Sequence, residues 1–174
     1  RFHDLYPIDS VLLPPVDAND LADVPSAGLE YALAASTSGL HKTVDEYNEW
    51  HHAVSSYLAA ISYIDELIGN IVTALKKSAY AENTTVVIWS DHGWHLGEKE
   101  HWGKETGWMR STRVPLIIIP AKNIQDNYQK ESKIDQVVNL LDLAPTLTEL
   151  SGLPAHVDWE GKSLTPLLNS DHKD

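Results

Sequence analysis

The 174-residue sequence contains no cysteine, so it can form neither a disulfide nor a zinc-thiolate site, and thiols say nothing of its redox compartment. Basic residues are scarce: 13 Lys and Arg stand against 25 Asp and Glu, a formal net charge of -12. That excludes nucleic-acid binding through a broad basic surface, because phosphate contacts need clustered cations. Any anionic ligand must be met locally. No uninterrupted apolar run approaches the roughly 18 to 20 residues that cross a bilayer, so no membrane span is expected, and no signal peptide opens the chain. The first residue is Arg1 rather than Met, and the segment reads as the middle of a protein. Internal repeats and low-complexity tracts are also missing. What is there is 43% hydrophobic content, which suits one ordinary domain with a core.

Residues 1–43 scatter Pro7, Pro14, Pro15 and Pro25 among Asp and Ala. This reads as an extended Pro-rich connection with one short helix near Leu29 to Ala35, and with His3 as a solvated side chain. Residues 44–80 read as a helix. Tyr57, Ile61, Ile64, Ile68, Ile71 and Leu75 recur at steps of four and three, an apolar face expected to be core rather than a cofactor site. Asp45 and Glu46 near the start of the segment, and Lys76 and Lys77 near its end, suit the helix dipole. Asn83-Thr84-Thr85 has the glycosylation pattern, yet it leads into an apolar strand and makes a poor acceptor. After Pro120, Lys122 to Lys133 is a polar connection. Val137 to Gly152 then reads as helical, with Pro145 in a first turn and Gly152 as the cap. Trp159 to Leu168 gives a turn and a short apolar segment before a charged tail.

The chemistry is concentrated in residues 84–120, TTVVIWSDHGWHLGEKEHWGKETGWMRSTRVPLIIIP. Two β-branched runs, Thr85 to Trp89 and Val114 to Ile119, have the composition of buried strands and bracket a polar loop. Asp91 and His92 fall where the first strand gives way to the loop, the place where open α/β sheets bind ligands. A carboxylate beside an imidazole suits a divalent cation, but calcium takes about six to eight oxygens, so two donors make only part of a shell. The same Asp-His-Gly triplet is equally a turn closed by an Asx hydrogen bond. Lys104 can meet an anion as a point charge. Trp94, Trp102 and Trp108 either wall a cleft or pack. His95 and His101 are candidate acids or bases by their ordinary pKa, although histidines in so polar a loop are expected to face solvent. Arg110 and Arg113 precede a strand, where a basic residue serves either a structural ion pair or an anion.

Ser90-Asp91-His92-Gly93, Leu96-Gly97-Glu98, Trp102-Gly103-Lys104 and Arg113-Val114-Pro115-Leu116 together resemble the C-terminal part of the catalytic domain of the sulfatase family, in the alkaline-phosphatase-like superfamily. The closest branch is the one of iduronate-2-sulfatase and choline sulfatase. Leu5-Tyr6-Pro7 with Leu13-Pro14-Pro15, Tyr63-Ile64-Asp65, Leu141 to Leu147 and Gly161-Lys162-Ser163-Leu164 agree in order. The resemblance implies an α/β fold, a sandwich built on a mixed, mostly parallel sheet flanked by helices. It implies that Asp91 and His92 are the late pair of ligands to one calcium ion and that Lys104 contacts the sulfate of the substrate, a sulfated small molecule or glycan. Trp94, His95 and His101 are candidate cleft residues. Members of the family hydrolyse sulfate esters with a formylglycine made within a Cys/Ser-x-Pro-x-Arg motif, and a periplasmic, secreted or lysosomal setting is implied.

The chain departs from the family pattern in two ways. Neither cysteine nor Ser-x-Pro-x-Arg occurs, and the paired early aspartates are absent too. The nucleophile and the formylglycine modification are therefore expected upstream, in a missing N-terminal half, and the 174 residues alone are expected to be inactive. Met109 stands where relatives place an acidic residue. Two rival readings remain: a phosphonate monoester or phosphodiester hydrolase of the same superfamily, and a non-catalytic relative that binds a sulfated glycan.

Overall fold

The computed structural model describes residues 1–17, 19–34, 40–129 and 132–169. Ala35, the last residue of the first expected helix, lies outside the described residues, as do part of the polar connection after Pro120 and the charged tail. The chain folds as two compact units, 1–73 with 92–115, and 74–91 with 116–174.

In the first unit the Pro-rich stretch is not simply extended: two short 3-10 turns, His3–Leu5 and Ile8–Ser10, precede helix α1 (Ser26–Ala32). The helical segment expected over 44–80 is two helices, α2 (His41–Glu46) and α3 (Trp50–Lys76). Between them Asn48 sits at φ +55, in the left-handed region that Asn tolerates better than most residues, and this breaks the helix. The core joins Val11, Val54 and Trp102, with Tyr6, Leu13, Val44, Trp50, Leu58 and Leu96 packed around them.

The apolar stripe expected in the core is not buried here: Ile61 and Ile64 are half exposed and Ile71 69% exposed, while Tyr57, Ile68 and Leu75 are half-buried. Periodicity finds an apolar face but not its neighbour. The buried face of α3 is Val54, Ser55 and Ala59. Ser55 Oγ donates to the Tyr6 carbonyl at 2.7 Å, and the Tyr6 hydroxyl meets Ser62 Oγ at 2.7 Å. Small side chains let the Tyr6 segment approach there, and its hydrogen bonds fix it on that side. By length and composition alone α3 could cross a membrane, a test that core helices also pass, and Asp65 and Glu66 interrupt its apolar surface.

In the second unit β1 (Val86–Trp89) pairs antiparallel with a later strand, Leu116–Ile119, which is β4 in chain order, Val86 opposite Ile119 and Trp89 opposite Leu116. The α/β class holds, but the pairing differs from the expected mostly parallel sheet: both two-stranded sheets among the described residues are antiparallel. A parallel partner needs a crossover, normally a helix lying on the sheet. The connection from β1 to β4 contains a single 3-10 turn, Glu98–Glu100, and one short α-helix, α4 (Met109–Thr112). Nor are these strands buried, since Trp89, Ile117 and Ile119 are each about half exposed. A branched, apolar composition matches a two-sided core strand, but the composition supplies no covering layer.

Helix α5 (Leu143–Leu150) starts later than expected, because Asn139 and Asp142 cap a 3-10 turn over Leu140–Asp142 ahead of it. Pro145 falls in its first turn and Gly152, at φ +66, follows its C-terminus. Thr146 Oγ1 donates to the Asp142 carbonyl at 2.5 Å and accepts from Leu164 N at 2.8 Å, while Asp142 Oδ1 accepts from Lys162 N at 2.8 Å. A Cβ on Gly161 would lie 2.1 Å from the Leu141 carbonyl oxygen. The Leu141 to Leu147 and Gly161 to Leu164 blocks thus fasten the segment before α6 (Thr165–Leu168) onto α5.

Candidate functional site

The loop of the first unit is a small hairpin, β2 (His95–Leu96) against β3 (Trp102–Gly103). Its turn is tight: Gly97 has φ +120, and Lys99 and Glu100 are also left-handed. Lys99 is held there by Asp20. Its backbone N–H donates to Asp20 Oδ2 at 2.9 Å, and its ammonium reaches Oδ1 at 2.7 Å and the Asp20 carbonyl. The hydrogen bond from Lys99 holds the Asp20 carboxyl below the usual carboxylate range, and Asp20 in turn pushes the Lys99 ammonium up. Trp50 Nε1 donates to the Leu96 carbonyl at 2.7 Å, and Trp102 Nε1 to His41 Nδ1 at 3.0 Å, so two tryptophans tie the hairpin to α3 and α2.

Gly93 closes the loop. Its N–H donates to the Ser111 carbonyl at 2.7 Å, and a Cβ there would sit 2.0 Å from the Arg110 carbonyl oxygen. His92 follows the exposed Asp91 and is half-buried. The Lys104 ammonium lies 3.0 Å from His92 Nε2, and His92 Nδ1 lies 2.8 Å from the Gly93 carbonyl. An ammonium only donates and a carbonyl only accepts, so Nδ1 carries the proton and Nε2 offers its lone pair. Beside this pair opens a cleft of about 590 Å³ lined by Tyr31, His92, Lys104, Glu105, Thr106, Gly107 and Ser111.

Lys104 and His92 therefore come together at one cleft, while Trp94, His95 and His101 do not line it. His95 and His101, expected to face solvent, are buried, with 0% and 2% exposure. Each has its own anchor in the fold: His95 Nδ1 meets the Glu98 carbonyl at 2.9 Å and His101 Nδ1 the Ala32 carbonyl at 2.9 Å. Their rings meet edge to face at 5.1 Å. Burial pushes the His95 pKa down, so the ring is neutral at ordinary pH. The tryptophans pack: Trp102 is in the core, Trp94 stacks on Tyr57 and lies tilted against His92, and Trp108 meets His95 in a T-shaped contact. Arg110 makes a structural ion pair with Glu98 at 2.9 Å, whereas Arg113 is exposed. Sequence reading passed over Thr106, Ser111 and Asp20, whose roles depend on distant partners and leave no local signature.

Asp91 offers a hard carboxylate and His92 Nε2 a neutral nitrogen, a donor pair whose chemistry fits a divalent cation in part. No group of three or more acidic, histidine or cysteine side chains able to hold a metal occurs among the described residues.

Residues 20–153 match the sulfatase family model, and the chain belongs to the sulfatase family. A sulfatase from Formosa agariphila is 37% identical over 98% of the chain and 32% of its own length. Iduronate 2-sulfatase from Mus musculus is 29% identical over 88% of the chain and 33% of its own length. The chain thus spans about a third of the length of the curated relatives it matches. A protein solved in complex with its substrate D-glucosamine-2-N,6-O-disulfate superposes with a TM-score of 0.64 at 27% identity, over 76% of this chain and 28% of that one. A phosphonate monoester hydrolase from Silicibacter pomeroyi shares the fold at a TM-score of 0.80 and 23% identity, over 99% of this chain and 35% of that one.

Proposed function

We propose that this chain is the late substrate- and metal-contact segment of a sulfuric ester hydrolase that acts on a sulfated sugar or glycan. The observation that carries the reading is the ammonium of Lys104 beside His92 at the edge of an open cleft, in a chain of the sulfatase family. The sulfated glucosamine bound by one structural neighbour supports a sugar ester as the substrate class.

In this reading Lys104 binds the sulfate and stays beside it as negative charge builds on the non-bridging oxygens. Asp91 and His92 would hold part of the shell of one calcium ion, which when bound supplies electrostatic stabilisation of that charge. His92 Nε2, which here accepts from Lys104, is the atom that would serve that role, with the Lys104 ammonium serving the sulfate. The formylglycine nucleophile lies outside this chain. A periplasmic, secreted or lysosomal setting and the absence of a membrane span go with the proposal.

The test is turnover of 4-nitrophenyl sulfate and of glucosamine 6-sulfate by the full-length protein that contains this chain, with calcium and after chelation. Calcium-dependent release of sulfate is expected. Hydrolysis of a phosphonate monoester in preference to both sulfate esters would replace the reading with the rival hydrolase. Binding of the sulfated sugar without turnover would replace it with the non-catalytic relative.

A further inference from the structure

Thr106 and Ser111 both line the Lys104 cleft, and their hydroxyls belong to a chain of hydrogen bonds running back into the protein. Ser111 Oγ lies 2.9 Å from Thr106 Oγ1, and Thr106 Oγ1 lies 2.9 Å from His95 Nε2. His95 Nδ1 ends the chain at the Glu98 carbonyl, 2.9 Å away. Ser111 is 5% exposed and His95 fully buried, so the inner part of the chain is out of reach of water.

The direction of each proton follows by counting. A carbonyl oxygen only accepts, so His95 Nδ1 is the protonated nitrogen and, in the neutral ring, Nε2 has only a lone pair to offer. Thr106 must then donate its one proton to Nε2. With that proton spent, the contact between Thr106 and Ser111 requires Ser111 to donate to Thr106. Both hydroxyl protons point inward. The opposite tautomer would set two lone pairs against each other across 2.9 Å at Glu98.

We propose that His95 is a positioning residue for the Lys104 cleft: through Thr106 it commits the Ser111 hydroxyl inward, so that these residues present hydrogen-bond acceptors, and the cleft takes an anion whose neighbouring group is a donor. Glu105 lines the same cleft and its carboxylate also only accepts. Lys104 answers the anion, and the acceptors answer a hydroxyl or ammonium beside it. The ligand class is a sulfate monoester of an alcohol that bears a further hydroxyl or amine, as a sugar sulfate does, rather than a bare aryl sulfate. This deepens the sulfatase reading above and rests on it for the sulfate, but not for the direction of the protons.

The surroundings keep His95 neutral. Its neighbours are His101, 5.1 Å away edge-on, the Glu98 carboxylate, which is bound to Arg110 and to Leu96 N, and the plane of Trp108, over which the Lys99 ammonium lies. Burial disfavours the imidazolium more than Glu98 favours it.

The experiment has two arms, both on the full-length protein and its Thr106→Val and Thr106→Ser variants, each checked by thermal melting. Nitrogen NMR of His95 is expected to show the Nδ1–H tautomer at neutral pH in the wild type. A wild type with the proton on Nε2 overturns the proposal. In the second arm, calorimetry compares methyl glucoside 6-sulfate with inorganic sulfate. The wild type is expected to favour the glucoside ester, and that preference to fall about tenfold in Thr106→Val, as the loss of one or two buried hydrogen bonds implies, and to return in Thr106→Ser. A preference unchanged in folded Thr106→Val, or no binding of either probe, overturns it. If the tautomer and the preference behave as stated while no sulfate ester is turned over, the sulfatase reading fails and this inference stands.

Discussion

Asp20 grips Lys99 twice across 79 residues of sequence, once at the backbone N–H and once at the ammonium. The grip matters because Lys99 sits at φ +57, a conformation that a non-glycine residue holds only when its surroundings impose it. Asp20→Ala should lower stability at neutral pH by about 1–2 kcal/mol, the range for a partly buried charge-assisted contact. The Asp20 carboxyl has a lowered pKa in the folded chain, so its stabilisation is full above the ordinary carboxylate value and is lost as the pH falls through the folded one. Lys99 is raised, so its share is full below the ordinary ammonium value and is lost as the pH rises through the folded one. Urea melts of wild type and variant should therefore differ by a constant amount near neutrality and converge in strong acid. A gap that persists undiminished at pH 2 would show that the carboxylate charge is not what holds the turn.

Lys104 is half-buried on a polar loop and contributes little apolar area. A charge-assisted contact to a sulfate oxygen is worth about 1.5–3 kcal/mol, so on the proposed reading Lys104→Ala in the full-length protein should cut kcat/KM for a sulfate ester at least about tenfold. The melting temperature should hardly move. Loss of folding with full activity in the remaining folded fraction would reassign Lys104 to structure.

On the proposed reading Asp91 and His92 would supply two donors where calcium takes about six to eight, so residues 1–174 alone should bind the ion weakly and the full-length protein firmly. Calorimetry on both, with His92→Ala as a third sample, checks this. The His92→Ala substitution in the full-length protein should weaken binding by at least about tenfold, within the range found when a ligand or its support is removed. Equal affinity in the two wild-type proteins would contradict a shell completed outside this chain.

The parts that were legible in the sequence are those written locally. The Val86–Trp89 and Leu116–Ile119 runs are strands, α3 follows its periodicity, and Pro145 and Gly152 bracket α5 as turn chemistry requires. The meeting of Lys104 with His92 was legible only through family spacing, since they stand twelve positions apart in the loop. Burial was the least legible property. His95 and His101 read as solvent-facing because their sequence neighbours are charged, yet Glu98 and Lys99 turn to Arg110 and Asp20 and leave the imidazoles inside. The stripe of isoleucines on α3 read as core, yet the neighbour that packs on α3 chose the side with Ser55 and Ala59. A pattern records which side chains avoid water but not which element covers them.

Gly93 should be the least replaceable residue of the loop. Its N–H donates to the Ser111 carbonyl at 2.7 Å, which ties the start of the loop to α4, and a Cβ would fall 2.0 Å from the Arg110 carbonyl oxygen. That neighbour is backbone, so no side-chain rotation relieves the overlap. Gly93→Ala must push apart the two segments that place His92 and Ser111 at the cleft, and a loss of about 2–4 kcal/mol is expected, in the range of severe backbone clashes. Gly107 lines the same cleft, but a Cβ there meets nothing within 4 Å. Gly107→Ala should therefore leave the melting temperature within about 2 °C of wild type, since a substitution that clashes with nothing usually stays within about 0.5 kcal/mol. Thermal melts and kcat/KM measured together separate the two effects. In Gly93→Ala both should fall, and lowering the assay temperature should not restore activity, because the cleft itself is displaced. Recovery of wild-type activity in the cold would mean that the alanine is accommodated without moving His92, and that the tight approach to Arg110 is not needed to build the site.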